Sequence, residues 1–389
     1  MILIFSDLHM GIRSYSVQDN NGLFTAENES RIVLSQLTHR FKQDDIDMMI
    51  FDGDFFHTNH PTSSNIEFTI KWLIEINEIN KPFFIMPGNH DDSIFSHSLA
   101  FIRSLNLPNI HLVDKASINQ YENIMWKEWH LVFAPYSSNY NLKEKDLYVT
   151  TDVLHKLETS KEKTLIFTHI QEVAAKIGSE SIMIAKGVDL IDIDLYSIPN
   201  DVYVISGHMH KRQMYKRGKA TVCYPGNCFY QDFSDVNDDK GYMLFKEDGE
   251  ILFENFTGIR IFRNYIIPQD ITPFDFFKKY RIPPNELIFV TVLTDEKYDE
   301  EVLSDYIEKH GSAFGGVRYK KNEEDASSYI FSNTTDPFQT FTTWLNENKS
   351  QIIEEIQIPK EIIEDCFTSC KTIGIEIIEK SLENKEEYI

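Results

Sequence analysis

Two aspartates, an asparagine and five histidines stand in five short stretches of this chain. They are Asp7-Leu8-His9, Gly53-Asp54, Gly88-Asn89-His90, Thr168-His169 and Gly207-His208-Met209-His210. Carboxylate oxygens and imidazole nitrogens are the ordinary ligands of divalent metals. A mixed oxygen and nitrogen set suits Mn, Fe or Zn better than Mg or Ca, which favour oxygen shells. Mn is the expected ion, with Mg, Fe or Zn as alternatives. Gly53 lets the backbone bend sharply, so that the Asp54 carboxylate can bridge two cations. Two ions held roughly 3.5–4 Å apart clamp the attacking and leaving oxygens of an in-line displacement, the chemistry of a two-metal phosphoesterase. Each stretch alone arises often by chance, and a lone histidine is more often structural. All of them in order, each ending a strand-like run, point to one metal site.

Those runs are Ile2 to Phe5, Met48 to Phe51, Phe83 to Met86, Leu165 to Phe167 and Val202 to Ile205. Their length and apolar character predict buried strands with the ligands at the ends, where open α/β sheets gather their sites. Asp7 and His9 can face one side only if the strand is already turning into a loop. Helices are predicted from about Glu29 to Lys42 and from Ile66 to Asn77, the second with Ile66, Ile70, Leu73, Ile74 and Ile76 at mostly helical spacing. The β-α-β-α order implies an α/β fold with an at least partly parallel, helix-covered sheet. Strands near Trp129 to Ala134, Thr221 to Tyr224 and Tyr242 to Phe245, then an Asp248-Gly249 turn before Ile251 to Phe253, suggest a second sheet.

Three regions follow: 1–256, 257–332 and 333–389. The middle one, opening near Thr257-Gly258, reads as a small α+β appendage. It has a strand over Leu287 to Leu293, a helix near Glu300 to Lys309, a turn at Gly315-Gly316 and a strand near Val317 to Lys320. It offers no cluster of ligands, so substrate shaping or partner contact suits it better than chemistry. The last reads as two helices. Phe338, Phe341, Trp344 and Leu345 share a face, and Pro359 opens a second helix ahead of Ile362, Ile363 and Phe367. From Asp336 to Ile389 twelve acidic residues face five lysines, and these apolar stripes need burial, by a partner's helices in our reading.

With 42% apolar and 25% charged residues over 389 positions, the composition is that of a soluble multidomain protein. No apolar stretch approaches a membrane span, the N-terminal run is too short for a signal-peptide core, and a cytoplasmic location is expected. Four cysteines, Cys223, Cys228, Cys366 and Cys370, form no disulfide framework and fit a reducing compartment. A net charge of -23 argues against a protein that coats nucleic acid by bulk electrostatics. A nuclease is not excluded, since bound metals dominate the local field. Between Tyr203 and Gln231 there are five basic residues (Lys211, Arg212, Lys216, Arg217, Lys219) and no acidic one. With Arg13 they are candidate DNA-backbone contacts; the alternative is a solvated hairpin turning at Arg217-Gly218-Lys219.

The motif series is that of the calcineurin-like metallophosphoesterases. Asp7-Leu8-His9-Met10-Gly11, Gly53-Asp54-Phe55-Phe56-His57, Tyr224-Pro225-Gly226 and Lys240-Gly241-Tyr242 resemble the Mre11/SbcD DNA-repair nucleases and their phage recombination relatives. Phosphoprotein phosphatases place an arginine after Gly-Asp, where this chain has Phe55-Phe56-His57-Thr58. The resemblance covers roughly the first 250 residues. Asn227 replaces a serine common in the family, and the segment from His169 to Gly207 matches less closely. The resemblance implies a four-layer α/β/β/α sandwich, a small capping domain and C-terminal helices. One metal would be held by Asp7, His9, Asp54 and His210, the other by Asp54, Asn89, His169 and His208. His90 would protonate the leaving oxygen, His57 matches a second catalytic histidine, and Asp91 could orient the attacking water. The implied activity is metal-dependent exo- or endonucleolytic hydrolysis of DNA in repair or recombination. The resemblance also implies a Rad50/SbcC-like coiled-coil ATPase that would dock on the terminal helices, with the nuclease a homodimer inside a heterotetramer. A stand-alone phosphodiesterase for nucleotides or other small substrates and a non-catalytic scaffold are the alternatives.

Overall fold

The computed structural model describes residues 1–319 apart from 20–21, 94–95, 115–120, 122–123, 137–162, 173–174, 176–189, 192–201, 237, 269, 280–281, 283 and 294–297. The expected helices over 333–389, with Cys366 and Cys370, lie outside the described residues. In chain order come β1 (Ile2–Phe5), α1 (Thr25–Phe41), β2 (Met48–Asp52), α2 (Ser63–Glu78), β3 (Phe83–Met86), α3 (Ile102–Leu105), β4 (Ile110–Leu112), β5 (Ile124–Trp126) and β6 (Trp129–Ala134). Next are β7 (Lys163–His169), β8 (Gln171–Glu172), β9 (Leu190–Ile191), β10 (Val202–Gly207), β11 (Gln213–Arg217), β12 (Ala220–Tyr224), β13 (Gly241–Phe245) and β14 (Ile251–Asn255). The last are β15 (Ile261–Ile267), α4 (Pro273–Lys279), β16 (Glu286–Val292), α5 (Glu300–Glu308) and β17 (Ala313–Tyr319). Met1–Val292 and Lys297–Arg318 form one compact unit; the second, Leu293–Glu296 with Tyr319–Ile389, lies almost wholly outside the described residues.

Two mixed six-stranded sheets carry the fold, ordered β14-β13-β1-β2-β3-β4 and β11-β12-β10-β7-β6-β5. In each, four strands run parallel and the others are antiparallel additions. The parallel strands are apolar on both faces because both faces are buried. Alternation then sorts the side chains. Ile2, Ile4, Ile50 and Met86 meet Leu131, Phe133, Leu165, Phe167 and Ile205 between the sheets. Leu3, Phe5, Met49, Phe51 and Ile85 meet the helices. Each such fully buried large side chain contributes about 1.5–3 kcal/mol. The outer face of the second sheet is buried as well, at Ile166, Val204 and Val222.

The helices obey local rules. The Thr62 hydroxyl caps α2 by accepting from the Asn65 N–H (3.2 Å), and α1 presents Val33, Leu34, Leu37 and Phe41 to the sheet. The inner face of α2 is Thr69, Trp72, Leu73 and Ile76, with Trp72 donating to the Thr38 hydroxyl at 2.9 Å. Ile74, expected on that face, is exposed.

Two expectations need correction. The β13–β14 hairpin, with its turn at Asp248-Gly249, joins the first sheet, where β13 lies antiparallel to β1 with Ile4 opposite Met243. A strand apolar on both faces fits either sheet, so its pattern cannot choose a neighbour. Gly315-Gly316 is no turn but lies inside β17. A side chain at Gly315 would press on the Phe233 ring, whose Cζ is 2.6 Å from the Cβ position. The glycines there serve close packing. The order of the third sheet is β15-β16-β17, with β15 and β16 parallel, and this sheet belongs to the same compact unit as the sandwich.

Candidate metal centre

All five ligand stretches converge on the carboxyl ends of β1, β2, β3, β7 and β10. The chain leaves β1 sharply: Asp7 and His9 adopt φ of 51° and 46°, which puts both on the same side. Asp54 (φ 61°) and His208 (φ 84°) share this left-handed conformation, uncommon outside glycine and a sign of local constraint. Gly53 is required twice over, by its φ of 89° and because a Cβ would overlap the His169 ring. Backbone bonds tie the loops together: Asp7 N–H to Gly53 O and His9 N–H to Asp54 O, both at 3.0 Å.

Two groups of donors face each other across Asp54. His9 Nε2 lies 3.0 Å from His210 Nε2, 3.5 Å from Asp54 Oδ2 and 4.0 Å from Asp7 Oδ1. On the other side Asn89 Oδ1 is 2.9 Å from both His169 Nε2 and His208 Nδ1, and His169 Nε2 is 3.3 Å from Asp54 Oδ2. The ligand atoms of Asp7, His9 and His210 all lie within 4.8 Å of one another, as do those of Asp7, Asp54 and His169. Asp7 also accepts from the His208 N–H (3.0 Å), and Asp54 Oδ1 from the His90 N–H (2.8 Å), so the loops are fixed by the ligands themselves. The His169 ring is aimed by its Nδ1, which donates to the Asp52 carbonyl at 2.9 Å.

The electrostatics suit cation binding. Burial, then the neighbouring imidazoles, hold His9 well below its ordinary value, and burial and His169 bring His208 to about 3. His210 is lowered to about 4, mainly by burial. These rings are neutral and keep a lone pair. Burial opposes ionisation of Asp54, but His169, His90 and His9 hold its carboxyl well below the usual carboxylate range. Burial, with Asp54 adding to it, pushes Asp7 up to about 7. Against its own burial, His169 is raised to about 10 by the Asp54 and Asp7 carboxylates. Two buried carboxylates, an amide oxygen and four imidazoles converge here, with His169 held charged by the carboxylates beside which a cation would bind; they are the donor set of two divalent ions, and the residues present fit them.

His90 stands at the rim beside these donors. Its Nδ1 donates to the His57 carbonyl at 2.8 Å, which fixes the ring and leaves Nε2 for a substrate. The His57 ring stacks on His90 with centroids 5.4 Å apart, and its own Nδ1 is buried without a hydrogen bond. Ligand atoms of His9, His57 and His90 lie within 4.8 Å of one another.

Asp91 differs from expectation. Its buried carboxylate accepts from the backbone N–H groups of Phe55, Phe56 and Gly88 at 3.0 Å and from Ser98 Oγ at 2.8 Å. It clamps two ligand loops, and its two oxygens are taken up by these four protein donors. The basic segment forms the β11–β12 hairpin, turning at Gly218 (φ 59°). Lys216 and Lys219 are exposed on it, as is Arg13, whose guanidinium lies over the Phe24 ring. Arg217 is half-buried, and Lys211 pairs with Asp238 at 3.4 Å. The Arg212 guanidinium turns to the β13–β14 hairpin, over the Phe253 ring, and donates to Asn255 Oδ1 at 2.8 Å. Sequence reasoning missed Gln231, buried in the loop after β12 and bonded to the Asp7 carbonyl, and Asp235, buried in the same loop and accepting from the Gln231 N–H. The one available signal was Lys240, a lone base between acidic residues and an apolar strand.

The family model described as calcineurin-like phosphoesterase matches residues 1–212. The DNA double-strand break repair protein Mre11 of Saccharolobus solfataricus is 33% identical over 90 residues, 23% of this chain and 22% of that protein. The match thus spans about a fifth of that relative's length. The SbcD subunit of nuclease SbcCD from Staphylococcus epidermidis is 22% identical over 343 residues, 79% of this chain and 88% of that one. Among solved structures, a dimetal phosphatase from Danio rerio aligns with a TM-score of 0.40 at 12% identity, covering 66% of this chain and 98% of that one. Among the described residues no helix is long and apolar enough to cross a membrane. With more than half of its length matched and a dinuclear donor set in place, the chain belongs to the calcineurin-like phosphoesterase family and is a metal-dependent phosphodiesterase.

Proposed function

We propose that this protein is a Mn-dependent DNA nuclease working in complex with a Rad50/SbcC-like coiled-coil ATPase on DNA ends. The observation that carries the reading is the similarity to the SbcD subunit of nuclease SbcCD along 79% of this chain and 88% of that one. On this reading residues 1–256 cleave, 257–332 cap the site, and 333–389 bind the ATPase, with two nuclease copies in a heterotetramer.

Asp7, His9, Asp54 and His210 would hold one ion and Asp54, Asn89, His169 and His208 the other. Such a pair supplies an activated water near neutral pH and charge for the transition state. The chain's own residues do the rest. His90, oriented through Nδ1, carries a proton on Nε2 to the leaving oxygen of the phosphodiester. His57, stacked on His90, keeps water from that ring and can exchange the proton. Asp91 keeps the Gly53 and Gly88 turns in register, so that Asp54 and Asn89 stay in reach of both ligand groups. Exposed Arg13, Lys216 and Lys219 meet the DNA backbone and set its position without reading sequence.

Cleavage of linear duplex DNA in Mn by wild type, Asp54→Asn and His90→Gln, with and without a co-expressed ATPase, tests the reading. Metal-dependent cleavage by wild type and its loss in both variants is the expected result. Strong turnover of a small phosphodiester with indifference to DNA would move the assignment to a stand-alone phosphodiesterase.

A further inference from the structure

Beneath the metal rim lies a buried lysine that the chemistry above does not use. The Lys240 side chain is 1% exposed, and lysine is almost never buried this far unless paired. Its Nζ donates to Asn227 Oδ1 at 2.5 Å and sits 3.1 Å from Asp235 Oδ1 and 4.0 Å from Asp238 Oδ2. Asp235 in turn uses Oδ2 to accept from Asn227 Nδ2 (3.1 Å) and from the Gln231 N–H (3.0 Å). The lysine therefore closes a loop running from Gly226 to Asp235 on itself.

That loop grips two ligand residues by their backbones. The Asn227 N–H donates to the His210 carbonyl at 3.1 Å, and Gln231 Nε2 donates to the Asp7 carbonyl at 3.3 Å. Gly226, at φ 80°, makes the approach possible, since a Cβ would lie 2.9 Å from His210 O. Asp7 and His210 are the two residues whose ligand atoms form one group of three with His9. Their two loops come from different sheets, β1 and β10, and this loop bonds to both.

We infer that Lys240 is a positioning residue for the metal held by Asp7, His9 and His210. Through Asn227 and Asp235 it fixes the loop that sets the spacing of Asp7 and His210. Buried side chains that orient metal ligands typically change affinity 10–100-fold when removed. The inference rests on the reading that Asp7 and His210 share an ion.

Calorimetric titration of the full-length, chelator-stripped protein with Mn, followed by thermal melting of the same samples, tests it. Wild type is expected to show two sites. Lys240→Met is expected to weaken one of them by about 10-fold or more and leave the other within twofold. A purely structural lysine would lower the melting temperature and leave both affinities unchanged, which overturns the inference. Asp7→Asn is the control: if it leaves both sites intact, the shared-ion reading has failed rather than the role of Lys240. Should Lys240→Met not fold, Gln231→Leu, which cuts the link to Asp7, carries the same expectation and the same overturning result.

Discussion

The metal rim and the three-stranded sheet of β15, β16 and β17 are held together by opposite means. At the rim, Asp7, His9, Asp54 and His208 sit in left-handed backbone, each at a cost of order 1–3 kcal/mol, and carboxylates and imidazoles are buried against one another. In the small sheet, aromatic rings do the work. Phe262 lies 5.1 Å from Phe233 and 5.8 Å from Tyr15, and Phe289 lies 4.9 Å from Phe233, by ring centroids. Left-handed backbone occurs there too, at Asn285 before β16 and at Tyr15, whose ring packs on Phe262. At the rim this conformation falls on the ligands themselves, where geometry has to be imposed, and the two-sheet core supplies the rigidity that keeps it there. The small sheet needs only to stay attached.

The largest effect should come from removing the residue on which the rim converges. Asp54 touches His9, His169 and His90, and Asp54→Asn is expected to cut phosphodiester turnover by roughly 10³-fold or more, about 4 kcal/mol of barrier. Circular dichroism should be unchanged. Retention of activity within tenfold would mean that the rim is not the catalytic centre.

The next test is on the attachment. Arg260 grips Glu29 of α1 with two bonds, Nε to Oε1 at 3.1 Å and Nη2 to Oε2 at 2.9 Å, and both side chains are nearly buried. Breaking such a pair from one side leaves a buried charge and typically costs about 3–5 kcal/mol, whereas replacing both partners with apolar groups costs much less. Urea unfolding of Arg260→Met should show that loss, and Arg260→Met with Glu29→Leu should recover most of it. Turnover per folded molecule should change little in either. A large fall in turnover with stability intact would show that the small sheet shares in the chemistry.

How legible the two regions were follows from the same contrast. The ligand set could be read because each ligand sits beside the strand run that positions it, and Asp54 beside the glycine that bends it. The burial of β1, β2, β3, β7 and β10 was equally local. What escaped depends on distant partners. Asp91 looks like a water-orienting acid until its four donors, from Phe55, Phe56, Gly88 and Ser98, are seen. Arg212 looks like a phosphate contact until Phe253 and Asn255 claim its guanidinium. Lys240 stands between acidic residues and an apolar strand, but nothing beside it points to Asn227 and Asp235 as its partners. The sheet joined by β13, and the ring of Phe233 against Gly315, are likewise facts of long-range packing.

A smaller effect is expected at that glycine. A methyl at Gly315 would lie 2.6 Å from Phe233 Cζ and 3.0 Å from Cε2, so Gly315→Ala forces the ring aside. Overpacking of this kind typically costs about 1–3 kcal/mol, and the denaturation midpoint should fall accordingly. Mn affinity should not move, because the ring lies in the attachment rather than among the ligands. A coupled loss of metal affinity would erase the distinction between the regions.

The smallest effect concerns pH, and it separates the rim's surroundings from the small sheet. His97, in the loop after Asn89 and His90, bonds through Nε2 to Asp114 Oδ2 at 2.7 Å, a carboxylate that Arg103 also binds. Burial, then the Arg103 charge, hold His97 below its ordinary value, with Asp91 and Asp92 opposing. The folded ring is therefore neutral under conditions where the unfolded chain already takes up a proton, near pH 6.5. Its contribution to stability is fully present above that pH and is lost as pH falls through it toward the folded value. Urea midpoints measured between pH 7.5 and pH 5 should decline, and His97→Gln should flatten part of that decline. An unchanged slope in His97→Gln would mean that the loop around Asp91 is held by its carboxylate bonds alone.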